Sequence, residues 1–447
     1  MILSLITAYS AVSLAETAGE KTLSRKTDPV VIKGESLPGM GGVAPSSLSL
    51  MAYRGGEWSL VPFQIDQVKP DGTYALASGK MAGPDSDPML DSDDELVFMA
   101  RDSGDRRLSV ASLPEGAILG VEIEVKDPLD GGMGWLYLFR FESSPPRSAA
   151  DYISVTFDKE TGYRWAESKE IKVGMPADRV YPEYISNRTL VSGEEGDDVL
   201  DRLKIRGVLV FPLGIEIPIA AEQMIYARPL GYTDGPVRVI EFVDGYMKVA
   251  GIEFKGIGAS TLSYYEDHVL VPVTIAAASK VPDWLLKFIP ESRLYGYMDF
   301  NENVYGSYVF SAANPVHEDV VLDGKTSEAE KNLDREAEVD WLAGHGPQGG
   351  LVFRLILEGD SGELSKMTTY YVDDNTAEDP PEEVPGMSAV GFHITGATDS
   401  LSRDVVRRSA DFSLYAYGKN DLTEDNVYEV LNVLDYPLTV ETRVVGL

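Results

Sequence analysis

The chain has 447 residues, 44% of them hydrophobic and 25% charged, which is enough for two or three domains with cores of their own. Its 72 acidic residues against 39 basic ones give a net charge of −33, a surface that repels nucleic acid and anionic membrane and argues against a role on DNA or RNA. The absence of cysteine excludes disulfides, thiolate zinc sites, covalent c-type haem and cysteine nucleophiles.

Residues 1–15, MILSLITAYSAVSLA, form an apolar run that ends on small residues and is followed by Glu16. The pattern is that of a secretory signal peptide, although no basic residue precedes the run. It predicts an exported protein, secreted, periplasmic or extracellular. No other run approaches the roughly 18 apolar residues of a spanning helix, so no membrane span is expected. Residues 16–29 are polar and read as a flexible leader.

From Val30 the texture is β. Short apolar or alternating runs at 30–32, 47–51, 60–65 and 73–76 are separated by turn signals such as 38–42 (PGMGG) and Asp71-Gly72. Two longer runs, 117–126 and 135–141, flank Asp130-Gly131-Gly132. Residues 30–146 therefore read as an N-terminal β-sandwich domain, and 150–316 as a second β-rich domain. In the second, 205–220 reads as two strands broken at Pro212 and Gly214. Asp244-Gly245 between apolar runs predicts a hairpin turn, because both positions tolerate positive φ. A short helix is expected at 282–292.

Residues 317–343 hold the acidic stretch TSEAEKNLDREAEVDWL. Ser327 and Glu330 have capping-box spacing, which predicts an acidic helical linker or excursion. A C-terminal β-sandwich-like domain, 344–447, follows, with strands near 351–357, 368–372, 390–395, 412–417 and 437–445 and helices near 401–409 and 423–435. The fold class expected is mainly β: two or three antiparallel sandwich-like units with a few short helices.

Nucleotide-binding loops, the nucleophile elbow and a complete zinc-protease motif are all missing: His317-Glu318 begins the last, but Val321 stands where its second histidine belongs. Two constellations remain. Residues 83–105 pack eight acids around one apolar strand. There Asp85, Asp87, Asp91, Asp93, Asp94 and Glu95 stand at spacings that bring carboxylates to one point, as a hard cation such as calcium requires, and Asp102 and Asp105 flank the far end. Tyr264, Tyr265, Glu266 and His268, joined by a base such as Arg293, would supply the acid/base groups of a polysaccharide lyase or glycoside hydrolase. Trp341 and His345 could add a sugar-stacking face, and Asn187-Arg188-Thr189 matches a glycosylation sequon.

Two functions follow. The favoured one is an exported, non-catalytic β-sandwich protein of the cell surface, envelope or extracellular matrix. It would be stabilised by calcium and able to self-associate through edge strands such as 437–445. The alternative is a secreted carbohydrate-active enzyme with a glycan ligand. Convergence of the second constellation on an open cleft would favour the enzyme; engagement of its side chains elsewhere would favour the scaffold.

Overall fold

The computed structural model describes residues 19–445 apart from 108–111, 180, 250, 276–290, 359–365, 381–383 and 396–409. The expected signal peptide, the helix at 401–409 and most of that at 282–292 lie outside the described residues; 291–292 begin a strand. Residues 19–28, expected to be a loose leader, are tied down. Thr22 and Leu23 amides donate to Met133 O at 2.8 and 2.9 Å, and Lys21 Nζ donates to Arg101 O at 2.8 Å.

The first third supplies β1 (Pro29–Lys33), β2 (Leu48–Arg54), β3 (Glu57–Leu60), β4 (Gln64–Asp66), β5 (Ser78–Gly79), β6 (Glu95–Met99), β7 (Ala117–Lys126) and β8 (Met133–Phe141). Strand β6 is flanked by β1 and β4, and β7, β8, β2 and β3 lie in a second sheet. Alternation sets the packing: Val121, Ile123 and Val125 of β7 and Leu136 and Leu138 of β8 share a core with Ile32, Leu96 and Phe98. The other face of β8 is also covered, with Trp135, Tyr137 and Phe139 packed beside Met51 and Val445. Gly131, at φ 76°, makes the β7–β8 turn where Asp130-Gly131-Gly132 predicted it. The run 73–76 forms isolated bridges only, and 60–65 splits around Pro62, which has no N–H for a ladder.

Next come β9 (Ile153–Asp158), β10 (Tyr163–Ser168), β11 (Ile171–Pro176) and β12 (Tyr184–Asn187), a sheet in the order β12-β11-β10-β9. They are followed by β13 (Leu200–Phe211), β14 (Ile215–Ala220), α1 (Ala221–Met224), β15 (Ile225–Asp234), β16 (Val239–Val249), β17 (Ile252–Tyr264), β18 (His268–Ile275) and β19 (Glu291–Phe300). The break at Pro212–Gly214 falls as expected. The expected Asp244-Gly245 turn does not form. Both residues sit inside β16, opposite Arg228 and Ala227 on one side and Ala259 and Gly258 on the other, with a register shift after Gly245. Pairing on both edges overrides the local preference, and the chain reverses at Gly251, φ 81°.

The last third adds β20 (Ser307–Phe310), β21 (Val321–Leu322), α2 (Glu328–Lys331), β22 (Trp341–Gly346), β23 (Gly349–Glu358), β24 (Lys366–Asp374), β25 (Met387–Thr395), β26 (Ala410–Lys419), α3 (Val427–Asp435) and β27 (Thr439–Val445). The capping box at Ser327 and Glu330 forms, but the helix it starts lasts one turn instead of four. Beyond it, Val339 and Trp341 are drawn into cores, and Asp334 Oδ1 takes the Glu336 and Ala337 amides in a turn.

Pairing does not follow chain order. The largest sheet runs β21-β20-β22-β23-β26-β18-β17-β16-β15-β5, and a five-stranded sheet runs β14-β13-β19-β25-β24. They share one core, in which Leu262, Phe353 and Leu355 meet Met298, Val390 and Phe392. Strand β27 returns to β7 and forms the edge of the sheet β27-β7-β8-β2-β3. The protein is thus predominantly β, built from antiparallel sheets packed in sandwich-like units, and the helices among the described residues are short. No helix among the described residues is long and apolar enough to cross a membrane.

Candidate functional site

The turn between β17 and β18 holds Tyr264 to His268 and is closed by Tyr265 N–H donating to His268 O at 2.8 Å. All five side chains are buried, and they point to different partners. Tyr264 Oη donates to Glu241 Oε2 at 2.8 Å, and the same oxygen accepts from Arg164 at 2.5 Å. Burial and the Glu241 charge push the Tyr264 phenol well above its ordinary value. The Tyr265 ring stacks on His268 with centroids 4.6 Å apart, and His268 stacks on Tyr417 at 4.7 Å. His268 Nδ1 lies 2.7 Å from Asp267 Oδ1. Glu266 pairs with Arg101, and with Lys169 at 3.3 Å. Burial raises the Glu266 carboxyl, with the two cations opposing it.

Arg293 does not join this turn. It lies on β19 opposite Val208, in the other large sheet, and pairs with Glu216 at 2.8 Å. The structure therefore brings together Tyr264, Tyr265, Glu266 and His268 in sequence but not around a common point. Asp267 and Arg101 take the places next to the imidazole and the carboxylate. The sandwich interior holds a small apolar cavity of about 50 Å3, lined by Met298, Phe300, Leu342 and Phe353 among others, and none of these turn residues lines it. Trp341 is buried, edge-on to Tyr428 of α3, and offers no open stacking platform. Asn187 of the sequon is buried, with its Nδ2 donating to Gln348 O at 2.9 Å.

Behind Tyr265 lies a network that the sequence did not announce. Arg238, between β15 and β16, is 4% exposed. Its Nε donates to Asp66 Oδ2 at 2.8 Å, one terminal nitrogen to Glu95 Oε2 at 2.5 Å and the other to Tyr265 Oη at 3.2 Å. Gln64 completes the frame: its Nε2 donates to Asp66, and its Oε1 accepts the amides of Val237 and Arg238, both at 3.0 Å. Tyr74 Oη and Lys33 Nζ reach the two oxygens of Glu95 at 2.9 and 2.8 Å. Burial raises the Asp66 carboxyl despite Arg238. At Glu95 burial acts the same way, but Arg238 and Lys33 together outweigh it and hold the carboxyl below its usual value. The network bolts β4 and β6 to the start of β16 and the β17–β18 turn.

Glu95 is thus a partner of Arg238 and stands apart from the other acids of its run. Of those, Asp85, Asp91 and Asp94 converge, each offering a carboxylate oxygen within 4.8 Å of the others; among the described residues this is the one such group of potential metal ligands. Asp94 is fully buried and Asp85 is 5% exposed. Backbone amides aim the carboxylates: Val68 and Asp91 N–H donate to the two oxygens of Asp94 at 2.9 and 3.1 Å, and Asp93 N–H donates to Asp91 at 2.9 Å. Burial raises the Asp94 carboxyl, and the Asp91 and Asp85 charges add to the effect. Asp87 and Asp93 are exposed and turn away, Asp87 capping the Met89 amide at 3.0 Å. Asp102 accepts from Tyr152 and Asp105 from the Lys21 amide, both at 2.9 Å, so neither faces the group. The three carboxylates suit a hard cation, whose remaining ligands would be water or carbonyl oxygen.

Fold and site together define an antiparallel β protein with a buried ion-pair junction and one clustered carboxylate triad. No protein-family model matches the chain, and no curated protein matches it.

Proposed function

We propose that the chain is an exported, non-catalytic β-scaffold of the cell surface, envelope or extracellular matrix, stabilised by calcium at Asp85, Asp91 and Asp94. The observation that carries this reading is the triad itself: two buried carboxylates and a half-buried one meet within 4.8 Å. None of the three has an ion-pair partner among the described residues, so a divalent cation would relieve their repulsion. The dispersal of Tyr264, Tyr265, Glu266, His268 and Arg293 into separate contacts supports a scaffold over a catalyst. The apolar run at 1–15 supports export. The outer edge of β27 is where copies would associate by strand addition.

The test is a thermal melt of the chain in EDTA and in millimolar calcium, with magnesium and sodium at equal ionic strength as controls. Binding to the native state alone stabilises by RT ln(1 + [L]/Kd), about 2.7 kcal/mol at a hundredfold excess. At this size that raises the midpoint by about 2–4 °C. Asp85→Asn/Asp91→Asn is expected to abolish the calcium-specific rise. Equal midpoints in calcium and magnesium, or an undiminished rise in the double variant, would remove calcium from the proposal.

A further inference from the structure

A larger cavity, of about 460 Å3, lies where the chain crosses from β8 to β9. Its walls mix apolar and polar surface: Val61, Pro62 and Phe63 come from the β3–β4 connection and Pro236 from before β16, and Gln64 and Arg147 also line it. The frame is pinned on both sides. Ser49 Oγ donates to Pro146 O at 2.6 Å, and the Tyr152 amide donates to Pro236 O at 2.9 Å.

Arg147 holds an unusual position for a base in this protein. Its guanidinium lies over the Phe63 ring, 4.8 Å from the centroid, and one nitrogen donates to Pro45 O. Although the chain has 72 acids to 39 bases, no carboxylate among the described residues forms an ion pair with it. Arg147 is exposed as a residue, and partial desolvation lowers its pKa with no carboxylate to offset the effect. A guanidinium has five N–H donors, so with one given to Pro45 O the others can still serve a planar acceptor.

We propose that this cavity binds a small carboxylate with an apolar body, the carboxylate on Arg147 and the body against Phe63 and the prolines. The volume lies within the roughly 300–1,000 Å3 of small-molecule sites. A single guanidinium, with no other cation in the lining, suits a monoanion. A phosphate would need further donors and would enter against the field of a chain at −33.

Calorimetric titration of the full chain tests this with three probes: phenylacetate, its neutral analogue phenylacetamide, and inorganic phosphate. Phenylacetate is expected to bind saturably, and the other two at least about tenfold more weakly, because each lacks the charge or the apolar body. Arg147→Gln should weaken phenylacetate binding by about ten- to a hundredfold, and Arg147→Lys should fall between. Absence of saturable phenylacetate binding, equal binding of the amide or of phosphate, or undiminished binding by Arg147→Gln would each overturn the proposal. The comparison of probes on the unaltered chain decides the matter even if the variants misfold.

Discussion

Arg238 stands between two carboxylates, and each of the three is buried or nearly so. Ions in that position are costly to bury and costlier to leave alone. Arg238→Met leaves Asp66 without a cation and Glu95 with Lys33 alone, and is expected to cost about 3–5 kcal/mol in urea denaturation. Adding Asp66→Asn and Glu95→Gln should recover most of that loss. Glu95 and its chain neighbour Asp94 are shifted in opposite directions. Glu95 is held below its unfolded value, so its contribution is present above the ordinary carboxylate range and is lost as pH falls through the folded pKa. Glu95→Gln should therefore destabilise at pH 7 and approach wild type in acid, as melts across pH would record. Asp94 is raised, so its contribution is fully present in acid and is lost as pH rises through its folded pKa. In EDTA at pH 7, Asp85→Asn should thus match or exceed wild type in stability, whereas in calcium it should fall below. Little of this was legible in the sequence. Arg238 sits between Val237 and Val239, both fully buried, and alternation places a charge so flanked on a solvent face. A second layer packs on that face, and nothing in the local sequence reports a second layer. The acidic run 85–95 was legible as a cluster, but not the division that sends Glu95 to Arg238 and Asp87 and Asp93 to solvent.

At the scale of elements, local chemistry was legible wherever it met no competitor. The capping box at Ser327 formed as spaced, and Glu330 then serves twice, its other oxygen accepting from Tyr371 Oη at 2.6 Å. Burial and that carboxylate push the Tyr371 phenol far above its usual value. Ser327→Ala should cost about 1 kcal/mol by chemical denaturation, the worth of an ordinary N-cap. Helix α3 stands because Val427, Val430 and Leu431 bury one face against Phe310, Val352 and Tyr417. Leu431→Ala should cost about 2–5 kcal/mol in the same measurement. The Asp244-Gly245 pair shows the opposite case: a strong turn signal lost to two neighbouring strands, each claiming the backbone. The expected four-turn helix shortened to one because Val339 and Trp341 gain more from cores than from continuing it.

Across the whole molecule, composition and alternation were sufficient for the β class, while the order of strands in the sheets was not legible. Pairings such as β18 with β26 and β19 with β25 join segments about a hundred residues or more apart, and no short-range signal encodes them. Charge acts at this scale too. With −33 spread over one chain, self-repulsion opposes the compact state, and salt screens it over a Debye length of roughly 10 Å at 0.1 M. The melting temperature in EDTA should therefore climb with sodium chloride, and the calcium-specific increment should persist on top of it.

The pairing of β27 with β7 has a consequence for biosynthesis. Thr439 Oγ1 donates to Lys126 O across 313 positions of chain. A ribosome working at about 5–20 residues per second would leave the edge of β7 open for about 15–60 seconds before its partner emerges. Throughout that interval the first sheet presents a free strand edge next to Val121 and Val125, the kind of surface that aggregates or recruits a chaperone. Maturation of the first third of this protein waits on a strand made more than three hundred residues later.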